Sequence, residues 1–113
     1  MGPTIFSKII NREIPADIVY KDELSLAFRD VNAKAPMHIL VIPKKPIVQL
    51  SEAESTDTPL LGHLLKVASQ VAAQEGYAEA FRLVINNGSA AGQTVFHLHV
   101  HLLGGRDFMW PPG

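Results

Sequence analysis

The 113-residue chain contains no cysteine, which excludes disulfides, thiolate nucleophiles and cysteine-based zinc sites. The chain also has no excess of either charge, because its 10 Lys and Arg residues are nearly balanced by 11 Asp and Glu residues. Without a cationic field the chain is poorly suited to hold a nucleic-acid backbone, so we expect no nucleic-acid partner. Any nucleophilic or metal-binding role therefore falls to histidine, of which the chain has 5.

Long hydrophobic runs are missing as well. The longest aliphatic run, ILVI at residues 39–42, is far too short to cross a bilayer, and the N-terminal stretch MGPTIFSKII carries no apolar export signal. These absences predict a cytoplasmic protein without a membrane partner. The 47% hydrophobic composition of this short chain predicts one domain, residues 1–113, around one core.

Two helices are predicted from apolar periodicity and from the residues that begin and end it. Thr4 is a candidate N-cap of a short helix that ends at Pro15. A longer helix is predicted at 58–75, with Pro59 in its first turn and Gly76 directly after its last.

The strands follow from short runs rich in β-branched and aromatic residues between turn residues. They are predicted at 18–22, 24–29, 38–44, 81–86 and 95–103. Five strands and two helices predict an α+β fold, a five-stranded antiparallel sheet covered on one side by helix.

The run HLHVHLLGG at 97–105 places His97, His99 and His101 at alternate positions of an apolar segment. Successive side chains of a strand point to opposite faces, so the three histidines should share one face. On a regular strand the outer two would lie roughly 13 Å apart, too far to join one zinc ion. We therefore expect no metal and no other cofactor.

The sequence leaves two other interpretations of the three histidines. A single histidine would most simply be a polar outward residue of a half-exposed sheet. Three in register would repel each other when charged, so they should titrate as a coupled set that keeps some imidazole neutral near pH 7. A neutral imidazole is a nucleophile and a protonated neighbour can donate to an anion, which suits attack on phosphorus.

The segment HLHVHLL fits the H-φ-H-φ-H-φ-φ signature of the histidine triad (HIT) superfamily. Further segments across the chain resemble its HINT branch, the histidine triad nucleotide-binding proteins: TIFSKIINREIPA, LAFRDVNAKAPMHILVIPKK, LLGHLL, RLVINNG, GQTVFHLHVHLLGGR and WPPG. The resemblance implies a homodimer with a continuous ten-stranded sheet. It also implies a metal-independent purine nucleoside phosphoramidase, which cleaves the P–N bond of adenosine or guanosine 5'-phosphoramidates through a nucleotidyl-histidine intermediate.

The resemblance also implies roles for individual side chains. His99 would attack the α-phosphorus, and His97 would orient it through the ring nitrogen not used in attack. His101 would hydrogen-bond the phosphate and assist the leaving amine, and His38 would extend the proton network. Asp30 would accept hydrogen bonds from both ribose hydroxyls.

The remaining substrate contacts are residues that would pass for ordinary core or loop residues in isolation. By the resemblance, the purine would lie in an apolar slot of Ile5, Phe6, Ile9, Phe28, Val31 and Leu40, with Arg29 tuning base preference. The phosphate or the leaving group would meet the loop residues Asn86, Gly92, Gln93, Thr94 and Val95. Trp110, in the tail FMWPPG, would lie near the leaving-group side of the partner subunit's site.

Two alternatives to the phosphoramidase stay open at the level of sequence. One is a dinucleoside polyphosphate hydrolase or nucleotidyltransferase of another HIT branch. The other is a nucleotide-binding interaction module in which catalysis is incidental. Relative rates on phosphoramidates and on dinucleoside polyphosphates distinguish these possibilities.

Overall fold

The computed structural model describes residues 2–113 and contains seven regular elements besides short 3-10 turns. They are α1 (Ile5–Ile10), β1 (Ile18–Lys21), β2 (Ser25–Arg29), β3 (Met37–Pro43), α2 (Thr58–Gln74), β4 (Arg82–Val84) and β5 (Val100–Gly104). The strands form one sheet in the order β1-β2-β3-β5-β4, and every neighbouring pair is antiparallel. The predicted α+β fold class is confirmed.

The first helix begins where the sequence predicts but ends earlier. Thr4 and Ser7 cap each other, because the Thr4 side chain accepts from the Ser7 N–H and the Ser7 side chain accepts from the Thr4 N–H. The last helical residue is Ile10, not one next to Pro15. The reason is Arg12, whose φ of 61° turns the backbone out of the helix into the left-handed region.

The two helices cover opposite faces of the sheet, which corrects the expectation of a sheet covered on one side only. The larger core lies under α2, where the buried residues include Leu64, Val67, Ala68, Val71, Ile39, Val41, Val100 and Leu102. The smaller core lies under α1 and consists of Phe6, Ile9, Leu26, Phe28, Leu40 and Ile42. Alternation along β3 assigns its odd-numbered residues to the α2 face and its even-numbered residues to the α1 face.

The predicted strand at 95–103 is wrong over its first half, because β5 begins only at Val100. Residues 95–97 form a bend instead. The backbone N–H of Leu98 leaves the sheet ladder and donates to the carbonyl of Ile47 at 2.6 Å. His97 and His99 therefore lie just before the strand, and only His101 lies within it.

Among residues 2–113, no helix is long and apolar enough to span a membrane.

Candidate active site

Four histidines gather on the sheet face that α1 covers. The rings of His99 and His101 lie 5.0 Å apart and those of His38 and His101 lie 5.2 Å apart, measured between centroids. The edge of Phe6 packs against His99 at 5.0 Å. His38 joins the cluster because β3 pairs with β5, with Leu103 opposite His38 in the register. All four histidines singled out in the sequence are thus neighbours, His97 being fully buried behind the others.

Hydrogen bonding fixes which nitrogen of His99 is free. Its Nδ1 lies 2.8 Å from the carbonyl oxygen of His97, which can only accept, so Nδ1 carries a hydrogen. In the neutral ring Nε2 therefore carries the lone pair. Burial lowers the pKa of His99 below its ordinary value of 6.5, against the opposing effects of that hydrogen bond and of Asp30. His99 is accordingly neutral at pH 7, with Nε2 available as a nucleophile.

His97 supports His99 through its main chain, while its side chain anchors the segment. Its Nε2 donates to the carbonyl of Pro43, at the end of β3, over 2.8 Å. The ring is fully buried, and its Nδ1 has no hydrogen-bond partner among the described residues. Burial, more than the charge of neighbouring His99, lowers the pKa of His97, so this ring is neutral as well.

His38 and His101 form a directed pair. The backbone N–H of Lys34 donates to Nδ1 of His38 at 3.0 Å, so in the neutral ring the hydrogen of His38 is on Nε2. That nitrogen lies 3.0 Å from Nδ1 of His101 and 3.4 Å from Oδ2 of Asp30. Nδ1 of His101 accepts, and its Nε2 therefore carries the N–H of that ring. His101 presents a donor, and His99 an acceptor.

Burial is the main reason why both rings of this pair resist protonation. It lowers the pKa of His38, with Asp30 opposing and Lys34 adding to the effect. For His101 burial comes first and His99 and His38 add repulsion, which lowers its pKa to about 4.

This low pKa predicts a stability loss in acid. Between about pH 4 and pH 6.5 the unfolded chain binds a proton on His101 that the folded chain excludes. The free energy of unfolding is therefore expected to fall as the pH is lowered through this window. Replacing His101 with glutamine, which does not titrate, should flatten the decline. Urea unfolding curves across the window measure it, and identical slopes for the two proteins would contradict the prediction.

One group of side chains in the cluster could hold a metal ion: Asp30, His38 and His101. One ligand atom from each lies within 4.8 Å of the others, and ligands about 2.1 Å from a tetrahedral zinc lie roughly 3.4 Å apart. A metal-bound histidine, however, normally donates its second ring N–H to an acceptor. Here Nδ1 of His38 faces the N–H of Lys34, so a metal on Nε2 would leave two N–H groups pointing at each other. The trio suits proton transfer better than metal binding.

An apolar cleft of about 140 Å³ lies next to the histidine cluster, because Phe6 and Asp30 line it and also contact His99 and His38. All six residues of the predicted purine slot line it, together with Arg29 and Asp30. Sequence reasoning missed three further lining residues, Ile14, Pro15 and Ala16, although they lie within the segment TIFSKIINREIPA that carries part of the resemblance. Val31 is fully exposed and Ile5 half-exposed, so these two side chains are accessible to a ligand.

Arg29 is engaged elsewhere. Its guanidinium contacts Glu75 at 2.8 Å and Asp17 at 3.3 Å. Arg29 thus lines the cleft while its guanidinium is paired with two acidic groups, and its influence on base preference stays a prediction.

The side chain of Gln93 is used inside the loop before the histidines. It is 3% exposed, and its Nε2 donates to the carbonyls of Val48 and Val95. Its Oε1 accepts from the N–H of Gly88 at 2.8 Å. The amide therefore shapes the loop.

Gly92 and Thr94 belong to the same loop. Gly92 has a φ of 90°, a conformation that L side chains rarely adopt, and Nδ2 of Asn86 donates to the carbonyl of Ala91 beside it at 2.8 Å. Asn86 thus supports the loop as Gln93 does. Thr94 is exposed.

In the C-terminal tail, Phe108 is contacted by two arginines, whereas Trp110 is exposed to solvent. The guanidinium groups of Arg106 and Arg82 lie 4.3 Å and 5.2 Å from the centroid of the Phe108 ring. Trp110 is 83% exposed and is not among the residues that line the 140 Å³ cleft of its own chain. A site contact of Trp110 would have to be with another subunit.

Comparisons with known proteins agree with this geometry. A model of the HIT domain matches residues 11–108 of the chain. An uncharacterized HIT-like protein from Synechocystis sp. is 67% identical over 110 residues, which cover 97% of this chain and 96% of that protein. A 14 kDa zinc-binding protein from Zea mays is 55% identical over 114 residues, 99% of this chain and 89% of that protein.

Among solved structures, a HIT family hydrolase from Legionella pneumophila superposes with a TM-score of 0.95 at 46% identity. The match covers 98% of this chain and 100% of that one. The four clustered histidines and Asp30 all lie inside the segment that the family model matches.

Proposed function

The chain belongs to the HIT domain family, and on that premise we propose that it is a purine nucleoside phosphoramidase of the HINT branch. It hydrolyses the P–N bond of adenosine or guanosine 5'-phosphoramidates and releases AMP or GMP and an amine. The observation that carries the proposal is the pairing of a nucleophile with a donor. Nε2 of His99 has a lone pair because Nδ1 is held by the His97 carbonyl, and His101 offers an N–H beside it.

The proposed substrate lies with its purine in the cleft and its phosphate at the histidines. The purine occupies the 140 Å³ apolar cleft, the ribose hydroxyls reach Asp30 at its edge, and the phosphate then meets His99 and His101. Thr94 and the exposed backbone at Gly92 lie in the loop that leads into the histidines and contact the phosphate or the departing group.

The reaction runs in two displacements at phosphorus. Nε2 of His99 attacks phosphorus, a bond from His99 to phosphorus forms, and the substrate P–N bond breaks with its electron pair on the amine. The amine takes up the Nε2 proton of His101, whose Nδ1 receives the Nε2 proton of His38. Water then attacks phosphorus, the His99–phosphorus bond breaks with its electron pair on Nε2 of His99, and the proton that the water loses returns to Nε2 of His101 as the His38 proton shifts back. One water molecule is consumed overall, and the chain ends unchanged.

No step of this scheme needs a metal. The relative from Zea mays is described as zinc-binding, and in this chain zinc would meet the Asp30, His38 and His101 trio, where the Lys34 N–H opposes it. We expect the activity to survive extensive EDTA treatment.

The test of the proposal is a comparison of steady-state rates after EDTA treatment, on adenosine 5'-phosphoramidate and on diadenosine polyphosphates. Faster turnover of the phosphoramidate is the expected result. Faster turnover of the polyphosphates would favour another HIT branch, and activity that disappears with EDTA and returns with zinc would favour a metalloenzyme. Nucleotide binding without turnover of either substrate would favour an interaction module.

Asp30 offers a direct test of the nucleoside position. Replacing it with alanine should weaken binding of the nucleotide by about 1–3 kcal/mol, since the ribose hydroxyls lose their acceptor. A nucleotide that lacks both hydroxyls is the control and should bind the two proteins equally, as titration calorimetry would show. An equal loss on that nucleotide would place the ribose elsewhere.

The homodimer of the proposal has support in the exposed edge of the sheet. Strand β4 lies at that edge, with one side unpaired, and an apolar depression of about 160 Å³ lies between α2, Ile85 and β5. Leu65 and Ile85 are 46% and 36% exposed there. A two-fold contact through α2 and β4 would join two sheets and cover this surface.

In such a dimer each exposed Trp110 lies near the leaving-group side of the partner's site. Deleting residues 108–113 should therefore change the preference among amine leaving groups more than the affinity for the nucleoside. Rates on a series of amines and nucleotide affinity measure the two effects. A monomer at micromolar concentration in sedimentation, or an unaltered amine preference, would contradict this.

A further inference from the structure

The dipeptide Gly105–Arg106 follows β5 directly and has no part in the proposed reaction. Gly105 has a φ of 96°, and a Cβ added there would lie 2.8 Å from Cβ of Pro36. The end of β5 thus packs closely against the loop between β2 and β3. Arg106 continues this contact, since its Nε donates to the carbonyl of Lys34 at 3.0 Å.

Lys34 is also the residue whose backbone N–H donates to Nδ1 of His38 at 3.0 Å. Its side chain is exposed, so its two main-chain groups connect Arg106 on one side with His38 on the other. His38 is 6% exposed and in turn meets Nδ1 of His101 through Nε2. Hydrogen bonds at both main-chain groups of Lys34 therefore connect the exposed Arg106 with His38 and, through it, with His101, the ring that faces the phosphate in the proposed reaction.

We propose that Arg106 is a positioning residue, which holds the Lys34 loop so that its N–H keeps the hydrogen of His38 on Nε2 and directs the N–H of His101 toward the substrate. The inference rests on the proposed function for its catalytic consequence. Its structural part, the choice of tautomer at His38, stands independently of any reaction.

The Lys34 N–H can select the tautomer of His38 because an isolated neutral imidazole carries its hydrogen on either ring nitrogen. A neutral ring with free nitrogens exchanges its hydrogen between Nδ1 and Nε2, and a backbone N–H facing Nδ1 removes one of the two forms. If the loop moved away, His38 would populate the Nδ1–H form, whose Nε2 would accept from His101. His101 would then turn its N–H inward and present a lone pair to the phosphate, which repels it.

Arg106 offers a matched pair of substitutions. In glutamine Nε2 occupies the same place along the side chain as Nε of arginine, so Arg106→Gln removes the charge and keeps the donor. Arg106→Met has similar length and neither charge nor donor. Arg82→Met is the control, because Arg82 stacks on the same Phe108 ring but bonds to Met109 instead of Lys34.

The tautomer of His38 is read from the ¹⁵N shifts of its ring nitrogens in long-range ¹H–¹⁵N spectra, and its protonation from a pH titration of the same signals. In the parent protein, Arg106→Gln and Arg82→Met, the expected form is Nε2–H. In Arg106→Met the Nδ1–H form should appear, and His38 should take a proton at higher pH because its Nδ1 is free. The other charged or titrating groups facing His38, Asp30, Lys34 and His101, are unchanged in all four proteins.

Turnover supplies the second readout. In Arg106→Met, kcat on adenosine 5'-phosphoramidate should fall about tenfold with little change in KM, less than the roughly 10²-fold or more that a positioned proton-transfer group contributes. An unchanged tautomer in Arg106→Met, or a changed tautomer with unchanged kcat, would overturn the proposal. Equal effects in Arg106→Gln would also overturn it, because the loss would then come from the charge of Arg106 and not from its hydrogen bond to Lys34. If no protein turned over the substrate, the proposed function would fail and the tautomer spectra would still decide this inference.

Discussion

Replacing His99 with alanine is expected to abolish turnover of adenosine 5'-phosphoramidate, with a loss on the order of 10⁴-fold or more, as for other covalent nucleophiles. No other group is in its position. The neighbouring His101 presents an N–H, and His97 is fully buried with its Nε2 on the Pro43 carbonyl. Steady-state rates at saturating substrate measure the loss.

The matched control is His63→Gln, since His63 is the one histidine outside the cluster. It belongs to α2 and contacts Asp22 at 2.7 Å. That variant should turn over normally, and both proteins should keep the circular dichroism spectrum of the parent. A folded His99→Ala protein with near-parental rates would show that another group attacks the phosphorus.

Replacing Asp22 with alanine is expected to lower the free energy of unfolding by about 2–3 kcal/mol at pH 7, because buried donors lose their acceptor. Oδ1 of Asp22 accepts from the N–H of Leu24 and from both the N–H and the hydroxyl of Ser25, which is fully buried. Oδ2 accepts from Tyr20 at 2.9 Å and meets His63 of α2. One carboxylate thus joins the turn between β1 and β2 to the main helix.

Asp17→Ala is the control, since Asp17 is an exposed aspartate whose one ion pair among residues 2–113 is with Arg29. Exposed pairs contribute about 0–1 kcal/mol, so this variant should unfold nearly as the parent does. Urea unfolding monitored by circular dichroism gives both values. A loss at Asp22 no larger than at Asp17 would contradict the structural role assigned to it.

The effect of Asp22 should also depend on pH. Burial by itself would raise the pKa of this carboxyl, but hydrogen bonds from the Leu24 backbone and from His63, Tyr20 and Ser25 outweigh it and hold the pKa well below its usual value. A lowered folded-state pKa contributes stability that is complete above the unfolded value of about 3.9 and is lost as the pH falls further. The difference between the parent and Asp22→Ala should therefore shrink below about pH 4.

Local sequence patterns predict most of the helices and strands, because the start of such an element depends mainly on residues close to it in the chain. The Thr4 cap and the Pro59 start of α2 depend on residues within one turn, and both are confirmed. The error at 95–99 has a non-local cause. The apolar alternation there is that of a strand, yet the N–H of Leu98 bonds to Ile47, about fifty positions away along the chain, and no local pattern contains that partner.

The site likewise has a part that the sequence predicts and a part that it does not. Side chains with recognisable chemistry, the four histidines and Asp30, were identified from spacing and resemblance, and the structure brings them together. The groups that set their tautomers are the N–H of Lys34 and the carbonyls of His97 and Pro43. Every residue has main-chain N–H or carbonyl groups of this kind, so no sequence pattern identifies the ones that set a tautomer. Only the three-dimensional structure does.

In the proposed reaction His99 forms a covalent bond to phosphorus. The most direct measurement is to mix the protein with adenosine 5'-phosphoramidate, quench in alkali within the first turnovers, digest the chain and locate the adenylyl group by mass spectrometry. An adenylyl group is expected on His99 and should be absent from His99→Ala. A label on another residue, or turnover by the parent protein that proceeds with no labelled peptide at any time, would contradict it.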